Sequence, residues 1–185
     1  MFRGKFFAIF VALAHNPKNL FGYRWKAGEI MPVELDAFER KILDVLQEDA
    51  SIPMAKLAER VGLSPSPCWR RVDRLEREGV ITRRVALVDR RQIGLNAQIF
   101  AQVKLNAHGR ANLDEFTEAI RGFPEVLEAY VIMGVFDFML RVVAEDIEAY
   151  ERFFFNRLSK LPGVQEINST VALSELKATT ALPIR

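Results

Sequence analysis

The sequence predicts an α+β protein of two units, an N-terminal winged helix-turn-helix and a C-terminal ferredoxin-like βαββαβ domain. Three observations carry that expectation. Residues 35–79 hold three stretches of helical apolar spacing separated by short breakers. The third stretch has one apolar edge and one edge studded with arginines. Beyond residues 89–94 the periodicity changes, and strand-like and helical runs follow in the order strand, helix, strand, strand, helix, strand.

The chain of 185 residues suits one or two small domains, and its 50% apolar and 27% charged composition is that of a globular protein. The net charge of +2 is too small for a protein that coats nucleic acid non-specifically, so any basic surface is local. With Cys68 as the single cysteine, an internal disulfide and a Cys-rich zinc site are both excluded, which favours a reducing compartment.

Residues 1–34 disagree with the rest. Arg3 and Lys5 precede the apolar run 6–14, which ends Ala12-Leu13-Ala14, like a short secretory signal and too short for a good membrane span. Three readings stand: an upstream extension with Met31 as the working start, a genuine tail, or export. A DNA-reading helix downstream has no target outside the cytoplasm, which makes export the weakest.

In residues 35–48, Leu35, Phe38, Ile42, Val45 and Leu46 share a helical face, with Asp36 and Glu39 in the first turn. The segment through Pro53 breaks it, and residues 54–61 make a second, short helix that Gly62 ends. Ser64 is a plausible N-cap, with Pro65 at the first helical position. Along the third helix Cys68, Val72 and Leu75 face inward, Ser66, Arg70, Asp73, Arg74 and Arg77 outward, and Trp69 and Arg71 lie on the flanks. Duplex DNA is the polyanion such a face suits, with serines at the helix start admitting phosphates and base edges. The alternative is a solvated face whose charges pair internally, as Asp73 with Arg77 or Arg70 with Asp73. Cys68 reads as a small core residue. Trp69 either stacks on the sugar-phosphate backbone or covers the helix base. Residues 80–88 read as a strand forming a short wing, with Arg83 and Arg84 at an exposed bend near phosphates.

The helix-turn-helix is placed at 54–73 within a DNA-binding domain of residues 35–96. The second domain, 97–178, begins with the strand 97–105. Then come a helix over 112–123, strands over 126–133 and 136–143, a helix over 146–161 stopped by Pro162-Gly163, and a last strand over 164–173. Two helices cover one face of such a sheet. The strands carry apolar residues on both, with Leu127, Val131 and Met133 on one side and Val126, Tyr130 and Ile132 on the other. An open apolar face pairs with another copy, so a homodimer is expected.

This arrangement resembles the leucine-responsive/asparagine-type (Lrp/AsnC) transcription regulators. The resemblance rests on Leu35-Asp36 and Ile42-Leu43, on Gly62-Leu63-Ser64-Pro65-Ser66-Pro67-Cys68, and on Arg71-Val72, Arg74-Leu75-Glu76 and Gly79-Val80-Ile81. It continues through Gly134, Phe136-Asp137-Phe138, Leu161-Pro162-Gly163-Val164 and the tail 177–183. It covers nearly everything from Leu35 on and leaves residues 1–34 outside, in keeping with a start at Met31. What it implies is a cytoplasmic, sequence-specific transcription regulator without catalysis, binding no metal and no cofactor. The implied partners are double-stranded DNA, a small effector such as an amino acid, and further copies of itself, as a dimer and a higher even oligomer such as an octamer. The expected DNA contacts are Ser64, Ser66, Pro67, Trp69, Arg70, Arg71, Arg74, Arg77, Arg83 and Arg84. The resemblance places the effector at the loop Met133, Gly134, Val135, Phe136 and Asp137, with Thr170 on the last strand as a further candidate. Gly134 admits backbone N–H groups to a carboxylate, and Asp137 suits an α-ammonium group or, alternatively, stabilises the turn. The family often has a carboxylate directly after that glycine. Here Val135 takes the place, which removes one polar anchor, so that either the effector differs or it binds less tightly.

The rival from another class is an enzyme resembling the siroheme decarboxylases of this architecture. It wants histidines or clustered basic groups in the second domain, where His108 alone stands, in a glycine-containing turn that reads as a solvated loop. A third option is a DNA-compacting protein without ligand dependence.

Overall fold

The computed structural model describes residues 32–107, 109 and 113–184. The leader-like segment 1–31 and His108 lie outside them. The described chain forms two compact units, one of residues 32–88 with 176–184, the other of residues between 89 and 175.

The first unit begins with α1 (Ala37–Glu48). Asp36 is its N-cap rather than a first-turn residue: one carboxylate oxygen accepts from the N–H groups of Phe38 and Glu39, each at 2.8 Å, while Glu39 accepts from the N–H of Asp36 at 2.9 Å. This reciprocal capping box satisfies orphan donors at the helix start. Helix α2 (Met54–Val61) ends at Gly62, whose φ of 79° suits a residue without Cβ. Helix α3 (Pro65–Arg77) follows a three-residue turn and ends at Gly79, where the Ile81 N–H bonds back to the Leu75 carbonyl at 3.0 Å. Ile42, Leu43, Val45, Leu57, Ala58, Val61, Cys68, Val72 and Leu75 bury together as the core, with Val80, Ile81 and, from the far end of the chain, Ile184 packed against them. Burial pushes the Cys68 thiol above its ordinary pKa, as suits an inert packing residue.

The wing strand expected over 80–88 is not formed. That segment carries no ladder, and Val85, Leu87 and Val88 are exposed, because no second strand among the described residues of this unit offers it backbone partners. The domain boundaries differ as well. The first unit ends near Val88 and regains residues 176–184, whereas the sequence placed residues up to 178 in the second domain.

The second unit is a four-stranded antiparallel sheet of β1 (Ala97–Leu105), β2 (Val126–Val131), β3 (Phe138–Ala144) and β4 (Val164–Val171), in the spatial order β2-β3-β1-β4. This is the ferredoxin-like order, with α4 (Leu113–Arg121) and α5 (Ile147–Asn156) inserted as expected. Ile99, Ala101, Val103 and Leu105 alternate toward the helices, meeting Phe116, Ile120, Tyr150 and Phe153 in one core. The long helix expected to Leu161 stops at Asn156. Arg157 leaves helical geometry (φ −129°, ψ −64°) and a 3₁₀ turn, Leu158–Lys160, completes the span. Gly163 (φ 81°) then turns the chain into β4 against Gly109, so closely that a Cβ built on Gly163 would lie 2.2 Å from the Gly109 Cα.

The face away from the helices is not apolar throughout, as the strand pattern suggested. In register, Tyr130 lies beside Met139, Glu128 beside Arg141, and Phe100 beside Thr170. The Arg141 guanidinium pairs with the Glu128 carboxylate and holds it below the usual carboxylate range. Val131 turns toward the helix side with Phe138, and its exposure comes from its place on the edge strand β2.

Candidate nucleic-acid interface and effector loop

Helix α3 presents two unlike halves. At its start Ser64 caps with its backbone only, its hydroxyl making no capping bond. An α-helix leaves the N–H groups of its first residues unsatisfied. Two of those positions here are Pro65 and Pro67, which have no N–H, and the Cys68 N–H already bonds to the Ser64 carbonyl at 3.2 Å. The Ser64 and Ser66 N–H groups are left without an acceptor among the described residues, beside the exposed hydroxyls of the same two serines. Trp69 stands out from the surface, 56% exposed, and Arg70 is exposed and makes no hydrogen bond or ion pair among the described residues.

The second half of the helix is occupied. Arg71 donates from Nε and Nη2 to Asp36 Oδ2 at 3.2 and 3.0 Å and lies 5.6 Å from the centre of the Phe38 ring. Hydrogen bonds from the Glu39 backbone N–H and from Arg71 hold the Asp36 carboxyl below its ordinary pKa. Arg74 donates from Nη1 to Glu39 at 2.7 Å and from Nε to Glu78 at 2.9 Å, and both carboxylates strengthen its hold on its proton. Glu39 is buried, 1% exposed, between its own cap and that guanidinium. Arg77 pairs with Asp73 at 2.8 Å, as the alternative reading of this face anticipated, and Arg84 pairs with Glu76 at 2.9 Å. Arg83, like Arg70, is exposed and unpartnered among the described residues. Asp36 and Glu39, read from sequence only as dipole partners of α1, are the residues that fix Arg71 and Arg74. No local signal links positions 35 residues apart.

The loop between β2 and β3 is open at Met133, Gly134 and Val135, and closes at Phe136 and Asp137. Asp137 does structural work there. Its Oδ2 accepts from the Leu105 N–H at 2.7 Å, its own N–H donates to the Val103 carbonyl at 2.9 Å, and its carbonyl accepts from the Ile132 N–H at 2.9 Å. One carboxylate oxygen thus ties the loop to the end of β1, and the turn-stabilising function named as the alternative is present. Thr170 does not join this loop within the chain. It pairs with Phe100, whereas Asp137 sits beside the end of β1. That separates them by four residue levels, roughly 13 Å along the sheet, and by two strands across it. Among the described residues no group of three or more His, Cys, Asp or Glu is placed to hold a metal ion, and no helix is long and apolar enough to cross a membrane.

Two family models match the chain, a winged helix-turn-helix DNA-binding model over residues 35–82 and the Lrp/AsnC ligand binding domain over 98–182. The glutamate uptake regulatory protein of Zymomonas mobilis is 38% identical over 151 residues, spanning 82% of this chain and 92% of its own. The DNA-binding transcriptional activator DecR of Escherichia coli is 35% identical over 150 residues, 81% of this chain and 99% of its own. Among solved structures, a transcriptional regulator of Neisseria meningitidis in complex with L-Met superposes with a TM-score of 0.78 at 37% identity, covering 81% of this chain and 97% of that one. An AsnC family regulator of Agrobacterium tumefaciens gives 0.77 at 41% identity, covering 80% and 97%.

Proposed function

From the premise that this chain belongs to the Lrp/AsnC family of DNA-binding, effector-responsive transcription regulators, and is not an enzyme, we propose how it divides the work. The first half of α3 reads base edges in the major groove through Arg70, with Trp69 against the sugar-phosphate backbone and Ser64, Ser66 and Pro67 at the close approach of the helix start. Arg77, Arg83 and Arg84 meet flanking phosphates. Arg71 and Arg74 hold the reading helix to α1 and contribute to DNA binding through that geometry. The observation that carries this division is the contrast between Arg70, unpartnered among the described residues, and Arg74, one turn later, which bonds Glu39, Glu78 and the Glu34 carbonyl. A guanidinium already bonded to a buried carboxylate would have to give up those bonds to reach a base.

The effector is a free amino acid, bound where copies of the chain meet at the loop Met133–Asp137. The Gly134 backbone serves the carboxylate, and the oxygen of Asp137 not bonded to Leu105 serves the ammonium. Thr170, distant within one chain, belongs to such a site only if a second copy supplies it. The exposed apolar residues Leu127 and Tyr130 support a homodimer that assembles further into an even oligomer, working in the cytoplasm on genes of amino-acid metabolism or transport. Effector binding shifts the assembly, and with it which pairs of α3 helices reach successive major grooves.

The test is anisotropy binding of the chain to the duplex upstream of its own coding sequence, at two salt concentrations, with and without a pool of amino acids. Tight, salt-sensitive binding that shifts with the pool is the expected result. Binding indifferent to every amino acid would remove the effector assignment.

A further inference from the structure

Residues 176–184 have been given no part in DNA recognition so far. After β4 the chain returns to the DNA-binding unit, where residues 176–184 run without a ladder. They are gripped at two points. The Leu182 N–H donates to Gln47 Oε1 at 2.6 Å, and Gln47 Nε2 donates to the Leu182 carbonyl at 3.2 Å. One side-chain amide thereby satisfies both backbone groups of one residue, as a neighbouring strand would. Two residues on, Ile184 packs onto the core of the three helices. The Leu182 side chain itself points outward, 72% exposed, so the grip at this position is through the backbone. The strap forms one wall of a cavity of about 820 Å³ whose other walls include Leu43, Leu46, Val80 and Ile81.

Gln47 stands in the last turn of α1, at the opposite end from the two carboxylates that hold α3, Asp36 to Arg71 at 3.0 Å and Glu39 to Arg74 at 2.7 Å. Twelve helical residues make a rod roughly 18 Å long that transmits tilt and roll from one end to the other. We propose that the strap 176–184 is a positioning element of DNA recognition. Through Gln47 and Ile184 it sets the lie of α1, and through Asp36 and Glu39 α1 sets the orientation of the reading helix. The proposal rests on α3 being the helix that reads DNA.

The test compares the full chain, a chain ended after Lys177 and the Gln47→Ala variant. Each binds a duplex that the full chain has selected from a random library and an unrelated duplex, at a temperature where circular dichroism shows each protein folded. For the selected duplex a loss of roughly 3- to 30-fold is expected in both altered proteins, with little change on the unrelated one. A synthetic peptide of residues 176–185 added in trans should recover part of the loss in the shortened chain, and a scrambled peptide none. Gln47→Glu, which keeps the acceptor and loses the donor, should fall between the full chain and Gln47→Ala. A purely stabilising strap would lower the unfolding temperature without moving these affinities, and that result would overturn the proposal, as would equal losses on both duplexes. Should the shortened chain fail to fold, Gln47→Ala decides alone. If the full chain selects no duplex, it is the assignment of α3 that fails, and the strap proposal falls with it.

Discussion

The two halves of α3 carry the same kind of side chain in opposite surroundings. Arg70, in the first half, is exposed and unpartnered among the described residues, while Arg74, one turn later, is held by a buried glutamate on α1 and by Glu78 on its own helix. A charge left without a protein partner on a folded surface keeps its hydration and loses little when an anion arrives. One that has already exchanged water for carboxylates has most of its hydrogen-bonding capacity committed. An arginine-rich helix face is therefore not uniformly a binding surface. Part of it is the means by which the helix is fastened down.

The sharpest way to break this comparison is to remove the fastening. Glu39→Ala takes away both the reciprocal cap of α1 and the buried partner of Arg74, and should cost about 2–3 kcal/mol of unfolding free energy in a denaturant titration. Stability unchanged by that variant would mean that the Arg74 pair contributes nothing, and the division of the helix would lose its basis. Arg70→Ala should leave stability within about 0.5 kcal/mol of the parent. In specific DNA binding it should cost roughly 1–3 kcal/mol, with relaxed preference at one base position. Arg74→Ala should show the reverse balance, a measurable loss of stability and a smaller effect on base preference. Equal binding losses for the two arginines, with stability untouched, would place both on the DNA.

A pH titration of stability sharpens the same contrast at Asp36. Its folded pKa is lowered, so its contribution is fully present above the unfolded value of about 3.9 and fades as pH falls through the lower folded value. Asp36→Asn should therefore flatten the acid limb of the stability curve below about pH 4, which acid unfolding of variant and parent side by side would check. In the second unit, Asp137→Ala removes the acceptor of the Leu105 N–H as well as a candidate effector contact. It should both destabilise that domain, by about 1–2 kcal/mol on thermal unfolding, and abolish any response to the effector. Loss of the response without destabilisation would argue that the Leu105 bond has little weight in solution.

Much of this molecule was legible in its amino-acid order because the signals are local. Helical spacing, Gly62 and Gly79 as helix stops, Pro65 at a helix start and the strand–helix alternation after residue 96 each depend on a few neighbouring residues, and together they imply both domains and the order of the second. The inward edge of α3, Cys68, Val72 and Leu75, was readable for the same reason. What the tertiary structure alone decided involves partners far apart in the chain. Asp36 and Glu39 claim Arg71 and Arg74 across 35 positions, Leu105 claims half of Asp137 across 32, and Gln47 claims Leu182 across 135. The segment 80–88 has strand-forming residues and no strand, because a ladder needs a second strand as well as a propensity. Local order along a chain follows from steric and hydrophobic periodicity. Which of several identical charges stays free depends on which carboxylates the completed fold brings beside it.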